Sequence, residues 1–312
     1  MRKLFFISFV LLVLTLPSTS VRAEQPPGLI ITPATQQLIV ANGSGQTRFG
    51  FEIGNYTSTA QELHLQISDF MAGGGNNNAA QFTLSNQNTS NRFGLAAWAN
   101  LDQSSVILQP NQTKLITVRI NDDASLLPGG HYGALIATTK NSQPYQNSQK
   151  VELVQGLSGL IFLTKTGGES YGLQLTDAKS TQSLVGETAT LSLRFQNTGN
   201  VHVVPRGIAQ VFDSRGKLLS QGIINVDSDI LLPETNKIEV AQLHSLAQVH
   251  WPGKYTLVIR YHREGDDTPA TSTISFLYAP PYQIVILLLF LFLTAVAFMR
   301  RLLHRRKSGP RA

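Results

Sequence analysis

The chain carries one strand-and-turn signature twice, and that duplication constrains the fold more than any other feature. The first copy reads Ile107-Leu108-x-Pro110-x-x-x-Lys114-Leu115, followed by Pro128-Gly129-x-x-Tyr132. The second reads Ile230-Leu231-x-Pro233-x-x-x-Lys237-Ile238, followed by Pro252-Gly253-x-Tyr255. Upstream, Phe51-x-Ile53-x-Asn55 corresponds to Leu193-x-Phe195-x-Asn197. The offsets are 123, 124 and 142 residues, so the unit is a duplicated domain with an insertion inside one copy, not a solenoid repeat. In each copy an apolar pair ends a strand, proline sets the φ of a turn, and a lysine opens an alternating strand. The Pro-Gly pair starts a further turn and strand. Two such units predict an all-β protein with two tandem Ig-like β-sandwiches.

The ends of the chain carry different signals. Arg2 and Lys3 precede the apolar stretch 4–16, and Val21-Arg22-Ala23 offers a cleavage site, so 1–23 reads as a secretory signal peptide. Residues 284–299 hold no charge and only one hydroxyl, Thr294. Counted from Tyr282, the stretch reaches about 27 Å as a helix, enough for one membrane span. Tyr278 and Tyr282 stand where an interfacial aromatic belt would lie, and Pro280-Pro281 ends the last strand. The cations that follow predict a cytoplasmic tail and an extracytoplasmic ectodomain, as in a single-pass type I protein of the cell membrane. The expected layout is signal 1–23, an N-terminal Ig-like, chaperone-like sandwich 24–166, a second sandwich 167–279, a transmembrane helix 280–299 and a basic tail 300–312. The boundary between the sandwiches is set by Gly167-Gly168.

The net charge of +6 belongs to these ends. Without the six cations of the tail and the three of the leader, residues 24–280 keep 16 basic and 19 acidic side chains, a net of −3. That balance gives no basic face for nucleic acid. The absence of cysteine means that the sandwiches hold by packing alone, which fits a bacterial envelope protein better than a disulfide-bearing extracellular Ig domain. Asn42, Asn55, Asn88 and Asn111 head Asn-x-Ser/Thr triplets, which Asn-rich loops generate by chance.

Within the first unit, alternation predicts strands over 29–32, 36–40, 47–55 and 62–70, with Phe49, Phe51 and Ile53 on one buried face. The Gly/Asn-rich residues 72–80 and the polar residues 86–91 read as loops. Residues 95–101 are ambiguous between a helical turn and a strand. Ile116, Val118 and Ile120 face inward, and further strands lie over 132–138 and within 151–165. The second unit shows seven strands, about 171–176, 188–197, 201–212, 217–224, 236–244, 254–262 and 271–278, which is the Ig-like number.

No constellation for chemistry emerges, so no catalytic, cofactor-binding or metal-ligating residue is assigned and no cofactor is expected. Gly156-Leu157-Ser158-Gly159 falls one residue short of a nucleophile elbow and lies in a strand. His131, His202, His250 and His262 sit near strand ends and read as surface or turn residues. Asn121-Asp122-Asp123 reads as a solvated turn ahead of a calcium site, which would need six to eight oxygens. Trp98 and Trp251 each read as an aromatic plug at the end of a sandwich core ahead of a sugar-stacking surface.

The combined pattern, with Pro128-Gly129-Gly130-His131-Tyr132-Gly133 and Asn197-Thr198-Gly199-Asn200-Val201-His202-x-x-Pro205-x-Gly207, resembles the bacterial cell-surface family described as WxL-interacting proteins. The resemblance covers most of residues 24–307. It implies a non-enzymatic protein whose first ectodomain binds peptidoglycan or another surface protein, in addition to the lipid bilayer met by the span. The first unit also resembles the N-terminal sandwich of periplasmic pilus chaperones. That resemblance implies a chaperone-like role in a surface assembly or export system, and an accessory subunit of an envelope enzyme is the other alternative. The loops of the first unit make it the expected carrier of the binding surface.

Overall fold

The computed structural model describes residues 28–72, 80–83, 92–139, 156–185, 188–249 and 251–307. The predicted signal peptide 1–23, the interior of the 72–80 loop, the polar residues 86–91, His250 and the end of the basic tail lie outside the described residues.

Among the described residues the chain is all-β except for one C-terminal helix. In order, the first sandwich contributes β1 (Leu29–Thr32), β2 (Thr35–Val40), β3 (Gln46–Asn55), β4 (Gln61–Ala72), β5 (Ala80–Thr83), β6 (Ala99–Leu101), β7 (Ser105–Leu108), β8 (Gln112–Asn121), β9 (Gly129–Thr139) and β10 (Gly156–Lys165). The second contributes β11 (Leu173–Ser180), β12 (Ala189–Asn197), β13 (Pro205–Phe212), β14 (Leu218–Ile224), β15 (Asn236–Ser245), β16 (Gly253–Arg263) and β17 (Ala270–Tyr278). Helix α1 follows over Pro281–Lys307.

In the first sandwich, a sheet ordered β1-β3-β8-β6 packs on a sheet ordered β2-β10-β9-β4-β5, with β7 also on β4. Phe51, Ile53, Ile116, Val118 and Ile120 from one layer meet Leu63, Leu65, Leu135, Ile161 and Leu163 from the other. The alternation of these strands sends every second side chain into that space. The ambiguous stretch resolves as a turn running into the short β6. Although β2 follows β1 at once, the two do not pair. The chain leaves the first sheet at Pro33, which follows a cis bond, and β2 runs parallel to β10 in the opposite sheet.

In the second sandwich, the seven strands follow the order β11-β12-β15-β14-β13-β16-β17. Strand β14 meets β15 only over Ser220–Ser245 and Gln221–His244, so that junction is a corner joining a three-stranded layer to a four-stranded one. The core holds Leu191, Leu193, Phe195, Val211, Leu243, Tyr255, Leu257 and Ile259. Helix α1 contains 20 residues, Tyr282–Arg301, with a mean hydropathy of 2.5 and none of them buried, so it is long and apolar enough to cross a membrane.

The duplication is visible in three dimensions. Asn55 ends β3 fully buried, and its Nδ2 donates to the carbonyls of Leu108 and Thr59, both at 2.9 Å. Its Oδ1 accepts from the N–H of Thr57 at 3.0 Å. Asn197 ends β12 equally buried and donates to Leu231 at 3.0 Å and Val201 at 2.8 Å, while its Oδ1 accepts from the N–H of Gly199 at 2.9 Å. Each asparagine therefore ties the loop after its strand to the residue two positions before the signature proline. Backbone groups in such a turn need partners once buried, and one amide supplies three.

Candidate functional site

Part of the outer face of the β2-β10-β9-β4 sheet is covered by the second sandwich. Phe70 from β4, Tyr132, Ala134 and Ile136 from β9, and Phe162 from β10 form a cluster of their own, against which Ile230 and Leu232 of the second sandwich pack. The rings meet edge to face: Phe70–Phe162 at 5.3 Å, Tyr132–Phe162 at 5.7 Å and Tyr132–His202 at 5.7 Å between centroids. Such pairings suit the negative ring faces and positive edges.

Tyr132 and His202 fasten the two sandwiches. The backbone N–H of His202 donates to Tyr132 Oη at 2.8 Å, and the same Oη lies 3.3 Å from His202 Nδ1. With its oxygen already accepting, the phenol O–H is free to donate to Nδ1, which holds the imidazole neutral. Burial acts the same way, lowering the His202 pKa to about 4, and it pushes the Tyr132 phenol upward. Nearby, the N–H of Gly130 donates to the Asn200 carbonyl at 2.8 Å. Gly129 and Gly130 permit this approach, because a Cβ at either would stand 3.1–3.2 Å from the Asn200 carbonyl oxygen and Gly129 has φ +127°. Asn200 also donates to the Gly168 carbonyl at 2.9 Å and accepts from the Ser170 N–H at 2.6 Å, clamping the connecting segment. Arg92 and Glu234 add an exposed ion pair at 2.8 Å.

Beside this contact runs a groove. A cavity of ≈ 270 Å³ lies among Thr35, Leu160, Phe162, Ile230, Leu232 and Lys237, and one of ≈ 480 Å³ among Gln37, Ile39, Phe162, His202, Val203 and Arg263. Phe162 borders both, and β2 runs the length of the pair. The carbonyls of Ala34 and Val40 accept from the N–H groups of Leu160 and Thr166, both at 2.9 Å. By alternation, Gln36 and Leu38 also turn their backbone groups toward β10, and Thr35, Gln37 and Ile39 turn theirs away from it. Among the described residues nothing pairs with that second edge. Ile39 is 79% exposed at the mouth of the groove.

Charges stand at the two ends. At one, Lys237 pairs with Asp229 and lies 3.6 Å from the carboxylate of Glu239, which is buried. Burial pushes the Glu239 pKa up to about 7, against the pull of Lys237. At the other, the Arg263 guanidinium lies 4.5 Å from the centroid of Tyr171.

Several sequence expectations need correction. His131 is not a surface residue: it is buried, with Nε2 2.7 Å from the Leu127 carbonyl, Nδ1 3.1 Å from the Gly94 carbonyl and its ring 5.8 Å from Trp98. His202 is the interface residue just described. His262 is half-buried beside the Arg263 carbonyl. Asp122 is not in a solvated turn, because it forms a buried ion pair with Lys165 at 2.5 Å and accepts from the Ser44 N–H at 2.8 Å. Trp98 packs at the edge of the first core, as expected of a plug, with Nε1 donating to Ser125 Oγ at 3.0 Å. Trp251 plugs nothing, being 77% exposed. Ser158 lies in β10 opposite Ile136. Among the described residues no group of three His, Cys, Asp or Glu side chains could hold a metal. Alternation alone does not reveal the interface between the sandwiches. A signal for it exists in β9, where both alternating phases from Tyr132 to Ala137 are apolar, as in a strand covered on both faces.

No family model matches the chain, and no curated protein matches it. Solved structures do. The chain is similar to a chaperone–tip adhesin complex of CFA/I fimbriae, at 11% identity over 81% of this chain and 99% of the other, with a TM-score of 0.42. It is similar to the class 5 fimbriae chaperone CfaA, at 12% identity over 81% and 100%, with a TM-score of 0.41. It is also similar to the CsuC–CsuE chaperone–tip adhesion subunit pre-assembly complex of the archaic chaperone-usher Csu pili of Acinetobacter baumannii, at 10% identity over 79% and 97%, with a TM-score of 0.39.

Proposed function

We propose that the chain is a non-enzymatic, membrane-tethered protein of the cell envelope that holds an extended segment of another surface protein in the groove between its sandwiches. The supporting observation is the free edge of β2. An incoming strand could take up the outward backbone groups of Thr35, Gln37 and Ile39, which supplies affinity independent of sequence. Phe162, Leu160 and Ile230 would receive alternate apolar side chains of that strand, and Lys237 and Arg263 would face its ends. Six residues of β2 offer about 20 Å of edge. The binding surface therefore includes both sandwiches, where the sequence pointed to the first alone. Peptidoglycan, the ligand implied by the family resemblance, is the competing reading; it would use the polar side chains of the groove, among them Thr35, Gln37, Thr235 and Glu264, and would leave the strand edge unpaired.

A photocrosslinker at position 39 of the full chain in its native membrane tests the assignment. The expected adduct is a polypeptide, mapped to an extended apolar-alternating segment. Gln37→Pro removes an outward N–H and leaves the β10 ladder intact, so it should abolish the adduct while preserving the melting transition. Adducts to glycan, or polypeptide adducts indifferent to Gln37→Pro, would refute strand addition.

A further inference from the structure

The end of the second sandwich that faces away from the groove carries an unexplained set of exposed groups. Strand β17 ends at Tyr278 and α1 begins at Pro281, so only Ala279 and Pro280 separate sandwich from helix. If α1 spans the bilayer, a link this short holds that end of the sandwich within about 10 Å of the headgroups. Register shows which residues share this end. Tyr278 pairs with Gly253, directly after Trp251 and Pro252, and Leu277 pairs with Lys254. Phe212 pairs with Thr256, which brings the hairpin carrying Arg215 and Lys217 to the same level. The N–H of Leu246 donates to the Leu219 carbonyl at 2.7 Å, which adds Leu246. Trp251 is 77%, Leu277 84% and Leu246 54% exposed.

These side chains fit one environment. Tryptophan and leucine partition into the boundary between headgroups and acyl chains, and lysine and arginine pair with lipid phosphate while their stems lie along apolar surface. The carboxylate of Asp213 caps its own hairpin, its Oδ1 accepting from the N–H groups of Arg215 at 2.9 Å and Lys217 at 2.8 Å, and its single charge is outnumbered by those of Arg215, Lys217 and Lys254. The Trp251 carbonyl accepts from Tyr255 Oη at 2.6 Å, so the core anchors the loop that presents the indole.

We propose that this end of the second sandwich is a foot that seats on the outer, anionic phospholipid layer of the membrane. Trp251, Leu246 and Leu277 enter the interface, and Arg215, Lys217 and Lys254 bind lipid phosphates. The inference rests on the reading that α1 spans the membrane. Its consequence is an upright ectodomain, with the groove held at a fixed height above the surface rather than swinging on a tether.

The test uses the full chain with Trp98→Phe, which leaves Trp251 as its only tryptophan, in nanodiscs containing phosphatidylglycerol and a lipid with a nitroxide on its headgroup. Trp251 emission should be blue-shifted and lose more than half its intensity to the nitroxide. The triple charge reversal Arg215→Glu, Lys217→Glu, Lys254→Glu should restore the intensity while the protein stays in the disc. An inserted protein whose Trp251 emits unquenched, like indole in water, would overturn the foot alone. A chain that alkaline washing strips from membranes would overturn the span and the foot together.

Discussion

The two sandwiches are built on the same pair of strands and differ in the polarity of one buried facing residue. In the first, Phe51 of β3 stands opposite Ile116 of β8. In the second, Leu193 of β12 stands opposite Glu239 of β15. Both Ile116 and Glu239 are buried. The isoleucine needs no partner, whereas the glutamate leans on Lys237, which also holds Asp229. The matching cation of the first copy, Lys114, is exposed. The duplicated frame thus fixes the backbone and its asparagine ties, and it leaves the polarity of the core end free to diverge. The divergent end is the one beside the groove, where Lys237 and Asp229 line the wall.

Exchanging the facing residues is the strongest way to break this comparison. Ile116→Glu puts a carboxylate in the core, where the matching Lys114 is exposed and not held beside it, and the first sandwich should lose more than about 4 kcal/mol in denaturant titration. Next in size are the two asparagines. Asn55→Ala and Asn197→Ala each remove three hydrogen bonds to the backbone, all of them buried at Asn197 and one of them at Asn55, and should cost about 2–4 kcal/mol at Asn197 and about 1–3 kcal/mol at Asn55. If the two costs differ widely, the turns are not energetic equivalents. The converse exchange, Glu239→Ile, should stabilise the second sandwich by about 1–3 kcal/mol, as replacement of a buried ionic group by an apolar one commonly does. Arg92→Ala removes the exposed cross-sandwich pair and should cost less than about 1 kcal/mol.

The same exchange sharpens the pH dependence, because two buried groups act in opposite senses. Glu239 has a raised pKa, so its contribution is most favourable below about pH 4.5 and declines as pH rises toward about 7. His202 has a lowered pKa, so its contribution is complete above about pH 6.5 and declines as pH falls toward about 4. Buried His131, whose pKa burial also lowers, acts in the same sense as His202. Relative to the wild-type chain, Glu239→Ile should make stability rise more steeply with pH, and His202→Asn should make it rise less or fall. Thermal melts at several pH values read both changes of slope, and a variant whose profile runs parallel to the wild-type one would show that the replaced group does not titrate as described.

Part of the comparison is legible in the order of amino acids alone. The signature prolines and the Asn55/Asn197 pair occupy equivalent places, and seven strands lie where alternation puts them in the second sandwich. One equivalence suggested by the sequence is wrong. Tyr132 matches Tyr255 by identity but not by phase. Counting from the Pro-Gly pair, the core position of Tyr255 is held in the first copy by His131. Tyr132, one residue later, faces the opposite way and becomes an interface residue. A shift of one position in a strand exchanges its faces.

The features legible in the chain's own order of residues are local: period-two alternation, proline turns, the duplicated frame and an uncharged apolar stretch long enough to cross a bilayer. These follow from chain geometry and nearest neighbours. Tertiary packing decides which of two apolar phases of β9 meets the core and which meets the second sandwich. It also decides that β2 joins β10 rather than β1, that Asp122 finds Lys165, and that Trp251 stays outside. Each of these depends on a partner far along the chain, and an alternating pattern records that a face is apolar without recording what will cover it.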